Sequence, residues 1–446
     1  MLSISDLEYQ YYSSLASGRI DNLEGAYASR VLAQEAAAAR GFTIGTNGKA
    51  VVAFREDHWL DEFRTKVISL LQARSIPFGL AHLTNFSVGG DGGSMNTTWA
   101  DVFAWHKRGG EVWSHGSNHK DPTPDGYAGL IREIVGTKTE IESHFIKCQG
   151  WMQPGISEQL TDEVPYDGMF ADESTINSQT GRLLMSTHAH IEGDIGGYFR
   201  SLPTGVQYGL GHYTIDSVTS LATLTALVEE AEDNKSGIEF MLHASMLDDA
   251  TRITTAILTS FLDYLVTEWD AGRIEILTPS GLYYADPYST YRKNLVLDGG
   301  FEGIVIDTGA DTLGAWDLVT DIYSLGTDGG HTGTNYLIVP AVTGSSVVRQ
   351  VMEVGKHSPG QTYMLEAWFK NVGAASVARM IVVDHDVPSN MTETKTMNMG
   401  IDQGWTKLRL AFTPPLNMTG ELRIQVGRNG ITGGTIHVDD VTVQPI

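Results

Sequence analysis

Cysteine is almost absent from this chain of 446 residues, which contains only Cys148. A single cysteine excludes an internal disulfide framework and any metal site built from several thiolates. Basic residues are also scarce, because 30 Lys and Arg stand against 54 Asp and Glu and leave a formal net charge of −24. We therefore expect no nucleic-acid partner, since phosphate binding requires clustered Lys and Arg.

Long apolar runs are missing too. No segment approaches the roughly 18 consecutive apolar residues of a membrane-spanning helix, so the sequence predicts no membrane span. The N-terminal sequence MLSISDLEYQ has neither a basic flank nor an apolar centre, and so shows no Sec-type signal peptide. Apolar residues still make up 41% of the chain, and its 49 glycines follow no collagen period, so we expect a globular protein.

Three zones of different composition divide the chain. Residues 1–44 are expected to form a helical arm, because Ser5 and Glu8 fit a capping box and VLAQEAAAAR is a strong helix former. This arm either docks on its own chain or attaches the protein to a larger assembly. Residues 45–290 alternate strand-like and helical patterns, which predicts parallel βαβ units in an α/β barrel or wound sheet. Residues 291–446 show short strands between turn signals, which predicts an antiparallel β-sandwich.

Individual elements of the α/β zone follow from the apolar patterns. Strands are predicted at AVVAF (50–54), IPFGLAHL (76–83), EVWS (111–114), IEFMLHA (238–244) and IEILTP (274–279). Helices are predicted over 63–75, 97–109, 128–150, 217–233 and 256–272.

Histidines and carboxylates follow several of these strands. His115 and His119 lie directly after EVWS, and two imidazoles at this spacing can share one divalent cation if the backbone makes a helical turn. The segment FREDHWLD follows AVVA, and His243 follows a late strand. The side chains that FREDHWLD offers are Glu56, Asp57, His58 and Asp61. Because the carboxyl ends of parallel strands share one rim, we expect these groups to meet there. The simpler alternatives are solvated loop histidines, a solvated strand-to-helix turn and a core histidine.

Such a set of side chains is what metal-assisted hydrolysis requires. A metal held by imidazoles or carboxylates keeps a position open for water and makes that water more acidic. A nearby carboxylate takes the water proton, and a second group protonates the leaving group.

The order of these motifs resembles the polysaccharide deacetylase family of metal-dependent carbohydrate esterases. The resemblance covers roughly residues 48–282 and rests on an Asp-containing turn, H-x-x-x-H after a strand, the Pro-Gly loop of WMQPGI and Leu-His on a late strand. It implies a distorted, often incomplete (β/α) barrel that removes N- or O-acetyl groups from sugar polymers such as peptidoglycan, chitin or xylan.

The resemblance also implies roles for individual residues. Asp57 matches the catalytic base, and His58 stands where the family has an aspartate that ligates the metal. A shift of one residue would instead place Glu56 on the base and Asp57 on the metal, but the first register keeps the following helix and strand in step. His115 and His119 match the two metal histidines, which gives a three-His site compatible with Zn²⁺ or another divalent transition metal.

Other matched positions concern the acid and the substrate. His243 matches the catalytic acid, and Pro154 and Gly155 match the loop that shapes the groove. Trp59 and Trp151 are expected to stack on sugar rings, whereas Trp113, inside a strand, is expected in the core.

His58 is one departure from the family pattern, and the residues before Pro154 are a second. The arginine expected before Pro154 is replaced by Met152 and Gln153, so no residue is evident that restrains the base. The carboxylate that orients His243 is also open. The candidates are Asp167, Asp172, Asp194 and Asp216.

The C-terminal zone resembles a jelly-roll carbohydrate-binding module. The resemblance rests on NLVLDGGFEG, GQTYMLEAWFK, GWTKLRLAFTP and TIHVDDVTV. Trp316, Tyr336 and Trp368 are candidates for a sugar platform, although the alternating pattern around Trp368 favours a core position. The resemblance implies a structural Ca²⁺ with Glu302, Asp439 and Asp440 as candidate ligands.

Taken together, the resemblances imply a modular carbohydrate esterase similar to bacteriophage tail proteins. The expected partners are a bacterial surface polysaccharide and, through the N-terminal arm, other virion tail proteins, with a homotrimer as one option. That setting, a virion tail acting at the host cell surface, would explain an extracellular substrate without a signal peptide. The alternative is a non-catalytic glycan-binding adhesin that retains the deacetylase fold, and a purely structural tail subunit is a third reading.

Overall fold

The residues that the computed structural model describes are 21–86, 96–119, 126–154, 179–193, 197–205, 208–303, 312–313, 315–318, 323–341, 346–352, 355–430 and 433–446. The chain divides into two units, one of Met1–Ala104 with Gly110–Tyr291 and one of Trp105–Gly109 with Arg292–Ile446. The first unit is mixed α/β with a parallel sheet, and the second is an antiparallel β-sandwich. The predicted fold class is confirmed at this level.

The α/β unit is built around one predominantly parallel sheet. Its strands are β1 (Ile44–Gly45), β2 (Ala50–Asp57), β3 (Phe78–His82), β4 (Gly110–Ser114), β5 (Cys148–Met152), β6 (Ile191–Glu192), β7 (Phe199–Arg200), β8 (Tyr208–Leu210), β9 (Tyr213–Thr214), β10 (Gly237–Leu242), β11 (Ile274–Ile276) and β12 (Ala285–Asp286). The sheet order is β7-β10-β2-β3-β4-β5-β6-β8, with β11 beside β2 and β9 beside β10. Within it β7 runs antiparallel to β10, and β1 pairs with β12 separately.

Helices connect these strands. They are α1 (Asp21–Arg40), α2 (Leu60–Glu62, a π-helical turn over Phe63–Val67, and Ile68–Arg74), α3 (Trp99–Lys107), α4 (Gly126–Leu130, a π-helical turn over Ile131–Gly136, and Thr137–Ser143), α5 (Gln179–Thr187), α6 (Leu221–Asn234), α7 (Thr255–Asp270) and α8 (Pro279–Leu282). Helix α7 shows why they form: Thr254 caps its first turn, and Leu258, Phe261, Leu265 and Trp269 form a buried stripe at helical spacing. No helix of the described ranges is long and apolar enough to cross a membrane.

Strand β2 lies at the centre of the sheet and is buried along its whole length. It continues through Asp57, so the first half of FREDHWLD is strand and not turn. Its last residues pair with β3, with Arg55 opposite Gly79 and Asp57 opposite Ala81. Because the strand extends this far, Arg55, Glu56 and Asp57 are buried at its carboxyl end.

The predicted helix over 128–150 is wrong in its last part, because α4 ends at Ser143 and β5 begins at Cys148. All five residues of β5 are buried between β4 and β6. Gly150 is needed there, since a Cβ at this position would lie 2.6 Å from the ring of Trp113. Tertiary packing therefore overrides the local helical pattern.

The described part of the N-terminal arm packs on its own unit. Ala33 and Ala36 of α1 are buried, and the guanidinium of Arg40 is 1% exposed. Arg40 pairs with Glu111 of β4 at 3.2 Å and lies over the ring of Tyr284. Helix α1 is thus a docked element, while residues 1–20 of the predicted arm lie outside the described residues.

The second unit consists of two antiparallel sheets. Its strands are β13 (Thr312–Leu313), β14 (Trp316–Leu318), β15 (Ser324–Gly326), β16 (Tyr336–Val339), β17 (Ser346–Met352), β18 (Tyr363–Val372), β19 (Ser376–Asp384), β20 (Thr392–Met399), β21 (Thr406–Phe412), β22 (Leu422–Arg428) and β23 (Thr435–Pro445). One sheet has the order β13-β14-β17-β22-β19-β20, and the other β15-β16-β23-β18-β21. In β18 the odd-numbered residues from Tyr363 to Phe369 belong to the core, and the even-numbered Glu366 and Trp368 are half-buried.

Candidate active site

A cavity of about 370 Å³ lies at the carboxyl ends of β2, β4 and β10. Its lining residues are Arg55, Asp57, His58, Trp59, His115, His119, Gln153, His212, Thr214, Met241, His243 and Met246. The three strand ends therefore meet at one rim, as parallel α/β sheets place their sites.

Three imidazoles converge in this cavity. The ring nitrogens of His58, His115 and His119 that could act as ligands lie within 4.8 Å of one another, and this is the one such group found among the residues that the structure describes. The ring centroid of His58 lies 5.4 Å from that of His115 and 4.6 Å from that of His119. Nitrogen donors grouped in this way fit Zn²⁺ and similar divalent transition ions.

The backbone brings these histidines together by left-handed residues and not by a helical turn. His58 has φ of 47° and His119 has φ of 50°, both in a region that non-glycine residues rarely adopt. Gly116, which lies between His115 and His119 in the sequence, has a φ of 82°. The sequence analysis assumed one helical turn between His115 and His119; the observed bend achieves the same convergence in a strained conformation.

Burial keeps the imidazoles neutral, which is the state that binds metal. Burial lowers the pKa of His115 to about 3, and its Nδ1 lies 2.9 Å from the carbonyl oxygen of Met152. That contact assigns the proton to Nδ1, and Nε2 is buried without a hydrogen-bond partner. Burial together with the neighbouring imidazoles also holds the pKa of His58 well below its usual value, and burial lowers the pKa of His119.

Asp57 is held by Arg55, two residues earlier on the same face of β2. Arg55 Nε donates to Asp57 Oδ1 at 2.6 Å, and Arg55 NH2 donates to Oδ2 at 2.9 Å. Burial alone would raise the pKa of Asp57, but the charge and hydrogen bonds of Arg55, together with the neighbouring His115 and His243, hold that pKa well below its usual range. Asp57 is therefore an ionised, fixed carboxylate beside the imidazoles.

Arg55 is itself anchored in a buried ionic network. Its NH1 donates to Glu192 at 2.9 Å and to Glu239 at 3.1 Å, and Arg200 donates to Glu192 at 3.1 Å. All four side chains are at most 4% exposed. Burial and the charge of Glu192 raise the pKa of Glu239 well above its usual value. This network takes the restraining role that the sequence analysis could not assign to Met152 or Gln153.

Glu56 points to the other face of β2 and does not line the cavity. Its Oε1 accepts a hydrogen bond from the amide of Ala244 at 2.8 Å, and burial raises its pKa well above the usual value. The register that places Asp57 and His58 in the site is therefore the one that the geometry supports, with Glu56 holding the turn after β10.

His243 lines the cavity at the end of β10, the strand beside β2, and is fixed by Asp216. Its Nδ1 lies 2.6 Å from Asp216 Oδ2, and its amide donates to Oδ1 at 2.8 Å. Burial works against the charged form, but the hydrogen bond to Asp216 and the charges of Asp57 and Asp216 raise the pKa of His243. Of the four candidate carboxylates, Asp216 is the one in contact. The other three, Asp167, Asp172 and Asp194, lie outside the described residues.

The residues expected to contact substrate have different positions. Trp59 lines the cavity and is half-buried. Trp151, by contrast, is 1% exposed and packs in a small core with Leu184, so its expected role in sugar stacking is wrong. Pro154 is buried, and Gly155 lies outside the described residues. Trp113 is 0% exposed, as expected of a core residue.

Sequence reasoning overlooked Arg55 and its anchors. The signal for Arg55 was present, because residues two apart on a strand share a face and Asp57 was already a candidate. Glu239 and Glu192 also carry a signal, since each is a charged residue next to apolar neighbours of a buried strand. His212, whose Nδ1 lies 3.2 Å from Arg55 NH2, follows no motif in the sequence.

The sandwich has an aromatic cluster on one sheet. His331 stacks on Trp368 with centroids 3.7 Å apart, and Lys407 lies 5.2 Å from the same ring. Trp405, which the sequence analysis did not single out, is half-buried beside Tyr336. The core alternative for Trp368 is wrong, since this residue is half-buried on the outer face of β18.

Two predicted platform residues of the sandwich are instead buried. Trp316 is 0% exposed and donates to the carbonyl of Asp298, and Tyr336 is 7% exposed with its ring against Gly326. Neither ring offers a face to a sugar, so the predicted roles of Trp316 and Tyr336 are wrong.

The carboxylates predicted to bind Ca²⁺ hold a loop of the sandwich. Glu302 accepts from the amides of Thr334 and Asn335. Asp439 accepts from the amides of His331 and Thr332, and Asp440 contacts the side chains of the same two residues. Burial, with the charge of Asp440, raises the pKa of Asp439 to about 6. A structural Ca²⁺ at this place stays a prediction.

Comparisons with known proteins find only partial likenesses. The sequence matches no protein-family model and no curated protein. Among solved structures, 34% of the chain matches 21% of the chain of the enzymatically active domain of bacteriophage CBA120 tailspike protein 4, at 16% identity and a TM-score of 0.26. The CBM22-2 xylan-binding domain from Paenibacillus barcinonensis matches 30% of this chain over 94% of its own length, at 16% identity and a TM-score of 0.26. TmCBM61, solved with β-1,4-galactotriose, matches 34% of this chain over 99% of its own, at 15% identity and a TM-score of 0.26.

Proposed function

We propose that this protein is a metal-dependent deacetylase that hydrolyses acetyl groups on a bacterial surface polysaccharide. One observation carries the proposal: three imidazoles share a cavity with a carboxylate and a fourth imidazole, and each of the last two is held by its own ionic partner. Ligands, a base and an acid are the groups that metal-assisted hydrolysis needs. A site at the carboxyl edge of a parallel sheet also fits the distorted (β/α) barrel of the polysaccharide deacetylase family.

The donor set fits a zinc or similar ion. Nitrogen ligands about 2.0–2.1 Å from a tetrahedral zinc lie about 3.4 Å from one another, so the three ring nitrogens need to close by at most about 1.4 Å from their 4.8 Å limit. Among the residues that the structure describes, the buried Nε2 of His115 and Nδ1 of His58 have no hydrogen-bond partner, as unsatisfied ligand atoms would. When bound, such an ion supplies Lewis-acid chemistry, polarising the acyl carbonyl and making water more acidic.

In this proposal Asp57 is the base. The two hydrogen bonds from Arg55 fix both carboxylate oxygens in place and keep the group ionised across the working pH range. Asp57 lies next to His58 in sequence and lines the same cavity, so it can accept a proton from water that enters there. Neutral imidazoles around it leave the carboxylate as the anionic acceptor of the cluster.

His243 is the acid. Since Asp216 occupies Nδ1, the other ring nitrogen is the one that can donate to the departing sugar oxygen or nitrogen. The raised pKa keeps the ring protonated to higher pH, which an acid requires. Asp57 and His243 thus divide the two proton transfers between the ends of two neighbouring strands, β2 and β10.

A polysaccharide substrate is supported by aromatic side chains at two places. Trp59 lines the cavity, where an indole face suits a sugar ring. Trp368 and Trp405 are half-buried on the sandwich. We further propose that the protein acts on a virion tail at the host surface, with the N-terminal arm, residues 1–44, as its attachment to other tail proteins.

Metal content and acetate release test the proposal. We expect about one zinc per chain in the purified protein and none in the double variant His115→Ala/His119→Ala. The wild type should release acetate from a chromogenic acetyl ester and from acetylated xylan, and Asp57→Asn should lose this activity while retaining zinc. A wild type that holds no metal after supplementation would exclude the hydrolase.

A non-catalytic glycan-binding adhesin is the second candidate. The half-buried Trp368 and Trp405 favour it, because glycan binding by the sandwich needs no turnover. Retention of the polysaccharide in affinity electrophoresis, without acetate release by the zinc-loaded protein, would select this function over the esterase.

A further inference from the structure

The conformation of the loop between His115 and His119 is not set by regular secondary structure. The loop forms neither helix nor strand, and its backbone passes through positive φ at Gly116 and at His119. His115 is fixed at the start of the loop, because its amide donates to the carbonyl of His82 and its Nδ1 contacts Met152. The imidazole of His119 stands at the far end, so its position relative to His115 depends on what holds the residues between them.

One buried carboxylate holds those residues. Glu133 Oε2 accepts from the amide of Ser117 at 2.6 Å and from the amide of Asn118 at 3.4 Å. Its Oε1 accepts from Asn118 Nδ2 at 3.2 Å. Glu133 is 3% exposed, and a Cβ on Gly116 would lie 3.2 Å from its Oε2, so carboxylate and loop are in close contact.

The opposite side of the loop is held by backbone groups. The amides of Thr84 and Asn85 donate to the carbonyls of Gly116 and Ser117, each at 3.2 Å. Asn85 Nδ2 also donates to Asn118 Oδ1 at 2.7 Å. The loop therefore receives donors from the residues that follow β3, and one carboxylate acceptor on its amide side. Hydrogen bonds of amides to a buried carboxylate are stronger than neutral ones, so Glu133 is the dominant side-chain restraint.

Glu133 belongs to the π-helical turn of α4. This turn, Ile131–Gly136, lies in the middle of the helix. Such turns occur frequently at functional sites. Glu133 belongs neither to the proposed base, Asp57, nor to the proposed acid, His243. The proposed reaction therefore gives it no role.

We propose that Glu133 is a positioning residue that sets the metal affinity of the three-histidine cluster by fixing the His115–His119 loop. The inference rests on the proposed metal centre. Residues that orient metal ligands from behind change affinity by about 10–100-fold when they are replaced. Glu133→Gln keeps the size of the side chain, but it replaces one acceptor with a donor that faces amide donors.

The test compares metal binding by the full chain without any substrate. Zn²⁺ affinity is measured in competition with a chromogenic chelator, and the visible absorption of the Co²⁺-loaded protein reports ligand geometry. We expect Glu133→Gln to weaken zinc binding by about 10–100-fold and to change the cobalt spectrum. The matched control is Glu140→Gln, which changes an exposed carboxylate of the same helix and should leave both readouts unchanged.

A second variant covers the event that Glu133→Gln does not fold. Asn118→Ala removes the contact to Glu133 Oε1, together with the 2.7 Å hydrogen bond from Asn85 Nδ2 to Asn118 Oδ1, without altering a buried charge. We expect a smaller loss of zinc affinity with the same spectral direction. Wild-type zinc affinity in folded Glu133→Gln, or in Asn118→Ala, would overturn this inference alone. A wild-type chain that binds no zinc would overturn the metal centre and the inference with it.

Discussion

The clamp on Asp57, formed by its two hydrogen bonds from Arg55, allows a quantitative prediction for Arg55→Met. Methionine keeps an unbranched side chain but removes the two hydrogen bonds to Asp57 and those to Glu192 and Glu239. Arg200 still pairs with Glu192, so Asp57 is the carboxylate that loses its cation. Removing one partner of a buried ion pair costs about 3–5 kcal/mol, and we expect this loss in the free energy of unfolding of the α/β unit at pH 7.

The loss should depend on pH in a defined direction. In the wild type the pKa of Asp57 is depressed, so its contribution to stability is present at neutral pH and is lost only in strong acid. Without Arg55, burial raises this pKa above the unfolded value, and the neutral form is then favoured as the pH falls. The difference between wild type and variant should therefore shrink by up to about 1.4 kcal/mol for each pH unit between 7 and about 5.

Urea unfolding of the metal-free protein, followed by circular dichroism at 222 nm, measures this difference, because the described helices lie in or begin in the α/β unit. Arg74→Met is the matched control. Arg74 pairs with Asp263, which is 63% exposed, so its loss should cost less than about 1 kcal/mol at either pH. An Arg55→Met penalty no larger than that of the control, or equal at pH 7 and pH 5, would refute the assigned role of the clamp.

Two further predictions concern the acid and the sandwich. Asp216→Asn should lower the pKa of His243 and reduce acetate release by about 100-fold. The alkaline limb of the pH profile should move to lower pH, because the protonated ring is lost as the pH rises through its pKa. An alkaline limb at the wild-type position would show that Asp216 has no part in the mechanism. Trp368→Ala/Trp405→Ala should abolish retention by the polysaccharide in affinity electrophoresis without loss of fold, whereas Trp316→Ala should destabilise the sandwich by about 3–5 kcal/mol. Retention by the folded double variant would exclude this face as the glycan site.

The sequence predicted the site because its residues follow strands in a parallel sheet. His115, His119 and His243 could be placed at one rim from that rule alone, before any distance was known. The residues that fix them could not be placed in the same way. Asp216 was one of four candidate carboxylates, and Glu133 lies in a helix that periodicity predicted without its π-helical turn. Such partners depend on packing between elements, which local patterns do not encode.

Strand faces were predicted less well than strand positions. The alternation around Trp368 was correctly recognised, but the core alternative put Trp368 on the wrong face. The charged Glu366 and Lys370, each two residues away, mark the outer face, since strand residues two apart share a side. Trp316 is buried in the three-residue strand β14, between β13 and β17, where so short an alternation did not indicate its direction. A shift of one residue along a strand moves a side chain from the exposed face to the core. The neighbouring charges show which face is exposed.

The geometry of β2 explains how Asp57 is restrained although Met152 and Gln153, and no arginine, stand directly before Pro154. Arg55 and Asp57 share a face of one buried strand, so the pleat itself sets the distance between the clamp and the base. A clamp on a separate loop would tie the position of the base to the conformation of that loop. Because Arg55 and Asp57 lie on the same strand, their contact does not depend on the conformation of any loop. The ionised Asp57 is therefore fixed beside His58 by the strand that carries it.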